Sequence, residues 1–328
     1  LNLLIKMVQI KNYFIENFHL MIKNYLFKIL IAVLLISLYI FILFIINNFN
    51  KILKRHPHDI FSPSHKAFIE GHCGVIKEIF PNTLESFKKV IEYNIESLET
   101  DTWLSKDNIL IILHGSRGSH LNGFYNYSGE ATNLTWKELS SLRTVRNNLK
   151  MPRLSDLFEL AKNKVFINLE IKDPRIDKVF PRIIELIEKY DFFDQIALSS
   201  GHFGYYDKIE EYNKKNQRNL TFGFAYFRTN ETYYNYSHKG SSLNLYWPYA
   251  SKRVCDKAHK NGLAVMAWFL LSDKENDEIY KKLIENGVDV ICSNEPVKAK
   301  KFRDNYYNNL RYFFQKIFSI LYGKLEIK

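Results

Sequence analysis

Three carboxylates, two imidazoles and one ammonium draw attention because each closes a short apolar run. His72 ends KAFIEGH, Glu99 and Asp101 end IESLETD, His114 ends ILIILH, and Glu170 with Lys172 ends VFINLEIK. If those ends converge, three hard oxygen ligands with open positions suit one divalent cation, Mg²⁺ or Ca²⁺, better than zinc. Such an ion together with Lys172 would stabilise the charge that a phosphodiester develops in its transition state. Two imidazoles on opposite sides of phosphorus would serve as general base and general acid. Each residue also has a plainer reading: a capped strand end, a surface salt bridge, a satisfied core histidine.

Convergence requires a scaffold. From about residue 66 the chain alternates short apolar runs with amphipathic segments. The runs are KAFIEGH, IESLETD, VFINLEIK, QIALSS, LTFGFAY, SLNLYW, LAVMAWF and VDVICS, and helical patterns such as NTLESFKKVIEYN, 176–190, 251–260 and 273–285 lie between them. Eight strands alternating with helices predict an α/β fold, a (β/α)8 TIM barrel whose active site lies at the C-terminal ends of its strands. A doubly wound open sheet is the rival. ILIILH at 109–114 breaks the alternation, because a parallel crossover needs a dozen or more residues. It should fold back as a β-hairpin after the second strand. A turn centred on Lys106 and Asp107 sets Glu99 opposite His114 and Asp101 opposite Ile112.

The 328 residues carry a net charge of +11, which fits anionic lipid, phosphate-bearing substrates or nucleic acid. The basic residues form no stripe with interleaved aromatics, so nucleic-acid binding has little support. Three cysteines, Cys73, Cys255 and Cys292, without CxxC spacing argue against a disulfide framework and a thiolate zinc site. Residues 29–46 form an uncharged apolar run of 18, which reads as a transmembrane helix over 29–48. The parts are then an N-terminal segment 1–28, the span, a basic linker 49–65, the barrel 66–304 and an amphipathic tail 305–328. The location this implies is a single-pass membrane protein, for example in the endoplasmic reticulum. Lysines on both sides of the span leave its orientation open. The tail, with Leu310, Phe313, Phe314, Ile317 and Leu321 at helical spacing, suits either a bilayer surface or the barrel.

Several strings resemble glycerophosphodiester phosphodiesterases. GHCGVIKEIFPNTLESF at 71–87 is similar to that family's opening motif, LETDTWLSKDNILIILH to its Glu-x-Asp … His segment, and INLEIK to its Glu-x-Lys strand. LTWKELSSL, MPRLSDLFEL, AHKNGLAVMAWFL and NGVDVICSNEP resemble later motifs in the same order. The resemblance implies a TIM barrel with His72 and His114 as the catalytic pair. It makes Glu99, Asp101 and Glu170 metal ligands and turns Lys172 to the substrate phosphate. It also implies attack by a neighbouring substrate hydroxyl, a cyclic phosphate that water opens, and Trp268 in the substrate pocket. Glycerophosphodiesters or lysophospholipids are the implied substrates, at a membrane.

This chain departs from the pattern at several points. Cys73 stands where an arginine is expected, Phe80-Pro81 replaces Pro-Glu, Gly115 replaces an aspartate, and Ser293-Asn294 replaces Thr-Asp. Arg117 could swing in for the missing guanidinium. Loss of an orienting carboxylate can leave an imidazole in the wrong tautomer. LETD followed by His114-Gly115 is also similar to sphingomyelinase D-like phospholipases, the first alternative. A catalytically weak relative that binds phospholipid headgroups is the second, and an unrelated membrane-tethered barrel the third.

Overall fold

The computed structural model describes residues 31, 33–43, 67–115, 118–226 and 240–322, with side chains to 309. The chain divides into two compact units, Leu1–Arg55 and His56–Lys328. In the first, residues 33–43 are helical. At about 1.5 Å per residue this run extends roughly 16 Å, about half of a 30 Å hydrocarbon core. Among the described residues no helix is long and apolar enough to cross a membrane. The expected membrane anchor and single-pass location are corrected accordingly: among the described residues, the helical part of the apolar run is too short to span. Residues 29–30, 32 and 44–48 of that run, the linker 49–65 and Arg117 lie outside the described residues.

The second unit is built from β1 Phe68–Gly71, α1 Leu84–Glu92, β2 Ser97–Leu104, β3 Leu110–Ile112, α2 Trp136–Ser141, α3 Leu154–Ala161 and β4 Phe166–Ile171. It continues through α4 Ile176–Tyr190, β5 Ile196–Ser200, α5 Gly204–Asn216, β6 Thr221–Tyr226 and β7 Ser242–Tyr246. α6 Lys252–Lys260, β8 Ala264–Trp268, α7 Asp277–Asn286, β9 Val290–Ser293 and α8 Pro296–Tyr322 complete it. All strands but β3 pair in parallel, and β1 pairs with both β2 and β9. That double pairing closes the sheet into an eight-stranded barrel and removes the open-sheet alternative.

Alternation along each strand decides which residues reach the inside. In β4, Ile167, Leu169 and Ile171 join the shell of apolar side chains packed under the helices, with Phe87, Phe158 and Phe192. Phe166 points inward instead, with Phe68, Ala197, Met266, Val290 and Cys292, and plugs the barrel. Asn168 and Glu170 keep the parity of Phe166, as Glu99 and Asp101 keep that of Ser97, so polar groups rise toward the C-terminal mouth. α8 packs its first turns on the barrel through Arg303, which donates to Ala67 O at 3.1 Å and pairs with Glu96 at 2.6 Å. One helix thus runs across residue 304, while the side chains of Leu310 to Leu321 lie outside the described residues.

β3 is the antiparallel excursion expected after β2, but its register is one residue from the expected one. Thr102, not Asp101, faces Ile112, and Leu113 N donates to Asp101 O at 3.0 Å. The cause is the turn. Ser105 N donates to Ile109 O, Ser105 Oγ accepts from Ile109 N at 2.9 Å, and Asn108 is left-handed at φ 63°. These make a three-residue loop, where a two-residue turn was expected, and asparagine tolerates the left-handed position. Trp103 of β2 and Ile111 of β3 join Leu113, Leu121, Tyr125, Leu139 and Met151, which follow the hairpin, in a separate small core that anchors the segment carrying His114.

Candidate active site

Glu99, Asp101 and Glu170 meet at the mouth, with one carboxylate oxygen of each within 4.8 Å of the others. At that separation and an effective dielectric constant of about 20, two carboxylates repel by roughly 3.5 kcal/mol. Lys172 answers part of this repulsion: its Nζ lies 2.8 Å from Glu170 and 3.3 Å from Asp101. Burial works against the Lys172 charge, yet Glu170 and Asp101 hold its pKa above the usual value. Burial also opposes ionisation of Asp101, but Lys172, His114 and Asn82 outweigh it and keep the carboxyl below its ordinary range. For Glu99 the balance goes the other way: burial, then Asp101 and Glu170, outweigh the pull of Lys172 and push its carboxyl well up. One ammonium among three carboxylates leaves a negative surplus, and an all-oxygen donor set fits a divalent cation.

Asn82 fixes Asp101 in place. Its Nδ2 donates to Asp101 Oδ2 at 2.9 Å while its Oδ1 accepts from Thr100 Oγ1 at 2.7 Å, so the amide has one orientation. Its own backbone is left-handed at φ 56°. The loop that presents it turns at Gly74, φ 97°, where a Cβ would lie 2.2 Å from Ser86 Oγ. That hydroxyl accepts from Val75 N at 2.7 Å and ties the loop to α1.

His72 lies across from Glu99, with Nε2 3.9 Å from Oε2. Its Nδ1 is 2.8 Å from Asn294 Oδ1, and Asn294 Nδ2 donates to Leu270 O at 2.7 Å. The amide must therefore offer oxygen to the ring, which makes Nδ1 the protonated nitrogen and leaves the Nε2 lone pair toward the carboxylates. Burial lowers the His72 pKa to about 4 against the pull of Asp101 and Asn294, so the ring is neutral at pH 7. His114 donates from Nδ1 to Gly115 O at 2.8 Å. Its ring stacks on Phe124 at 6.1 Å, and Phe124 meets the edge of Phe80 at 6.0 Å. Two of the departures thus have replacements: Asn294 orients one ring, and the Gly115 carbonyl with the aromatic stack orients the other. An aspartate at 115 would be strained on this backbone, where φ is 76° and a Cβ would lie 2.0 Å from Gly118 O.

A cavity of about 450 Å³ brings His72, His114, Glu99, Glu170, Lys172 and Trp268 together. Phe269, Leu270 and Leu271 form an apolar flank on the Trp268 side. Asp101 is 1% exposed and sits beneath the floor. Sequence reasoning missed a deeper polar layer, in which Glu70 accepts from Ser97 Oγ at 2.5 Å and from Asn168 Nδ2 at 3.1 Å. Burial pushes the Glu70 carboxyl up to about 7. The signal was available, since Glu70 shares the strand parity of His72. It also missed that Cys73 and Asn82 touch the carboxylates, because both lie on a loop where parity says nothing.

Comparison with known proteins agrees with this fold. The glycerophosphoryl diester phosphodiesterase family matches residues 72–298. A glycerophosphodiester phosphodiesterase of Caldanaerobacter subterraneus is 25% identical over 245 residues, 70% of this chain and 95% of that protein. One from Bacillus altitudinis is 22% identical over 246 residues, 72% of this chain and 98% of its own. Among solved structures, a glycerophosphodiester phosphodiesterase assigned in Galdieria sulphuraria superposes with a TM-score of 0.65 at 24% identity, covering 73% of this chain and 98% of that one. An Oleispira antarctica phosphodiesterase, in complex with the product sn-glycerol-3-phosphate, superposes with a TM-score of 0.63 at 19% identity, covering 73% and 97%. The family match covers most of the chain, with the three carboxylates, both imidazoles and Lys172: this protein belongs to the glycerophosphoryl diester phosphodiesterase family, whose members are phosphoric diester hydrolases.

Proposed function

We propose that the barrel mouth hydrolyses glycerophosphodiesters, lysophospholipids among them in the manner of a lysophospholipase D, using a divalent cation and the pair His72 and His114. The observation that carries this reading is one cavity lined by both imidazoles, Lys172 and two of the three clustered carboxylates. The product seen in the Oleispira antarctica relative supports the substrate class. The apolar flank of Phe269, Leu270 and Leu271 supports an acyl chain beside the glycerol.

Glu99, Asp101 and Glu170 would hold the cation, Mg²⁺ or Ca²⁺ by the hardness of their oxygens, and when bound it supplies charge stabilisation to the phosphoryl oxygens. Lys172 adds a fixed positive charge beside the same oxygens. His72, neutral and with Nδ1–H held by Asn294, accepts at Nε2 the proton of the attacking substrate hydroxyl. The new oxygen–phosphorus bond forms as the bond to the leaving alcohol breaks, and His114 gives that alcohol a proton from Nε2. Water then opens the cyclic phosphate with the two roles exchanged.

The test is choline release by the full chain from glycerophosphocholine and from lysophosphatidylcholine. It is run with EDTA, Mg²⁺ or Ca²⁺ and beside a His72→Ala control. Metal-dependent release that the control loses is the expected result. Release from neither substrate sinks the hydrolytic reading, and undiminished release in the control sinks the two-imidazole mechanism.

A further inference from the structure

We propose that Cys73 is itself a ligand of the cation site, so that this mouth takes thiophilic divalent ions such as Zn²⁺, Co²⁺ or Cd²⁺ more tightly than Mg²⁺ or Ca²⁺. The inference rests on the reading that Glu99, Asp101 and Glu170 hold a divalent ion, and adds a sulfur to that oxygen set.

Geometry carries it. Cys73 Sγ lies 3.7 Å from Glu99 Oε2 and 3.6 Å from Asp101 Oδ2. Two ligands of one tetrahedral ion, about 2.3 Å away for sulfur and about 2.1 Å for oxygen, stand roughly 3.6 Å apart. Ligand atoms of His72, Cys73 and Glu99 also lie within 4.8 Å of one another. This second cluster shares Glu99 with the carboxylate trio, so hard and soft donors form one continuous set.

The backbone holds the thiol there. Cys73 is fully buried and left-handed at φ 52°, a conformation that a residue with a Cβ keeps only where its surroundings over-determine it. Its N–H donates to Glu99 Oε2 at 3.1 Å, and its carbonyl accepts from Asn82 N at 2.9 Å. Both anchors belong to the site: one is a proposed ligand, the other the residue that orients Asp101. On ligation the S–H bond breaks, its proton leaves to solvent, and the sulfur lone pair binds the ion. Thiolate sulfur favours soft and borderline ions, whereas three carboxylates alone favour hard ones.

The test loads the full chain with Co²⁺ and reads its absorption spectrum, beside Cys73→Ser. The expected result is a near-ultraviolet thiolate-to-cobalt charge-transfer band that Cys73→Ser loses. Cd²⁺ affinity should fall by roughly tenfold or more in the variant while Mg²⁺ affinity changes far less. Zinc-edge X-ray absorption of the unmutated protein gives a second readout that needs no variant to fold, a sulfur scatterer at about 2.3 Å. Cobalt bound without the band, a band that Cys73→Ser keeps, or zinc with only nitrogen and oxygen neighbours overturns the role of Cys73 and leaves the carboxylate site standing. Failure of the unmutated protein to bind any divalent ion overturns both.

Discussion

Asn294 decides the tautomer of His72: its Oδ1 lies 2.8 Å from the ring's Nδ1, and its own amide nitrogen is committed to Leu270 O at 2.7 Å. The backbone N–H of Asn294 in turn donates to Glu275 at 2.6 Å, and Tyr280 OH donates to the same carboxylate at 2.7 Å. A chain of buried hydrogen bonds therefore runs from α7 to an imidazole at the mouth.

Asn294→Ala should lower kcat about 100-fold with little change in KM, because it frees the ring to take the unproductive tautomer. Asn294→Asp should keep most activity at high pH but move the acid limb of the pH–rate profile upward from about 4, since a buried carboxylate raises an imidazole pKa. Because a base must be unprotonated, a higher pKa makes activity fall off sooner as the solution is acidified and leaves it intact above the new pKa. A profile that does not move would mean that His72 is not the titrating base.

Gly115→Ala should cost about 1–3 kcal/mol in urea unfolding and reduce turnover more than stability explains. The added Cβ would meet Gly118 O at 2.0 Å, so the carbonyl that accepts from His114 must shift. Normal turnover in a folded variant would show that this carbonyl does not position the ring.

Asn82→Gly separates the two duties of that residue. Glycine accepts φ 56° without strain, so the loop should survive, while Asp101 loses its donor. Thermal stabilisation by a divalent ion should then need about 10–100 times more ion. An unchanged titration would show that Asp101 needs no partner to serve the site.

Far from the mouth, His259 Nε2 lies 2.7 Å from Asp289, whose buried carboxylate also accepts from Val265 N at 2.8 Å. The hydrogen bond to Asp289 raises the His259 pKa despite partial burial. The stabilisation is therefore full below about pH 6.5, the unfolded value, and is lost as pH rises through the higher folded value. Melting temperatures of the unmutated protein and His259→Gln should diverge below pH 6.5 and approach each other toward pH 9. Parallel curves would show that the pair stays neutral.

Much of the barrel was legible because it depends on local periodicity. Alternating apolar residues in VFINLEIK and IESLETD set Asn168, Glu170, Glu99 and Asp101 on one side of their strands before any tertiary contact is known. The closing ends of those two runs named the carboxylates and the lysine, and those of KAFIEGH and ILIILH named the histidines. Length alone misled at 29–46, where an apolar run was read as a membrane span. It misled again at the hairpin, where Ser105 and Asn108 made a longer turn and shifted the register by one residue.

What the sequence determined by itself is the strand-and-helix order and the residue types at the barrel's mouth, because strand parity is a property of the chain. Only the tertiary structure decided how those residues are held. That Asn294 turns its oxygen to His72, that Gly115 lends a carbonyl to His114, and that Cys73 points its sulfur at Glu99 and Asp101 are contacts between distant segments. Spacing along a chain carries no information on the direction in which a loop side chain points, and that direction is settled by closing the barrel.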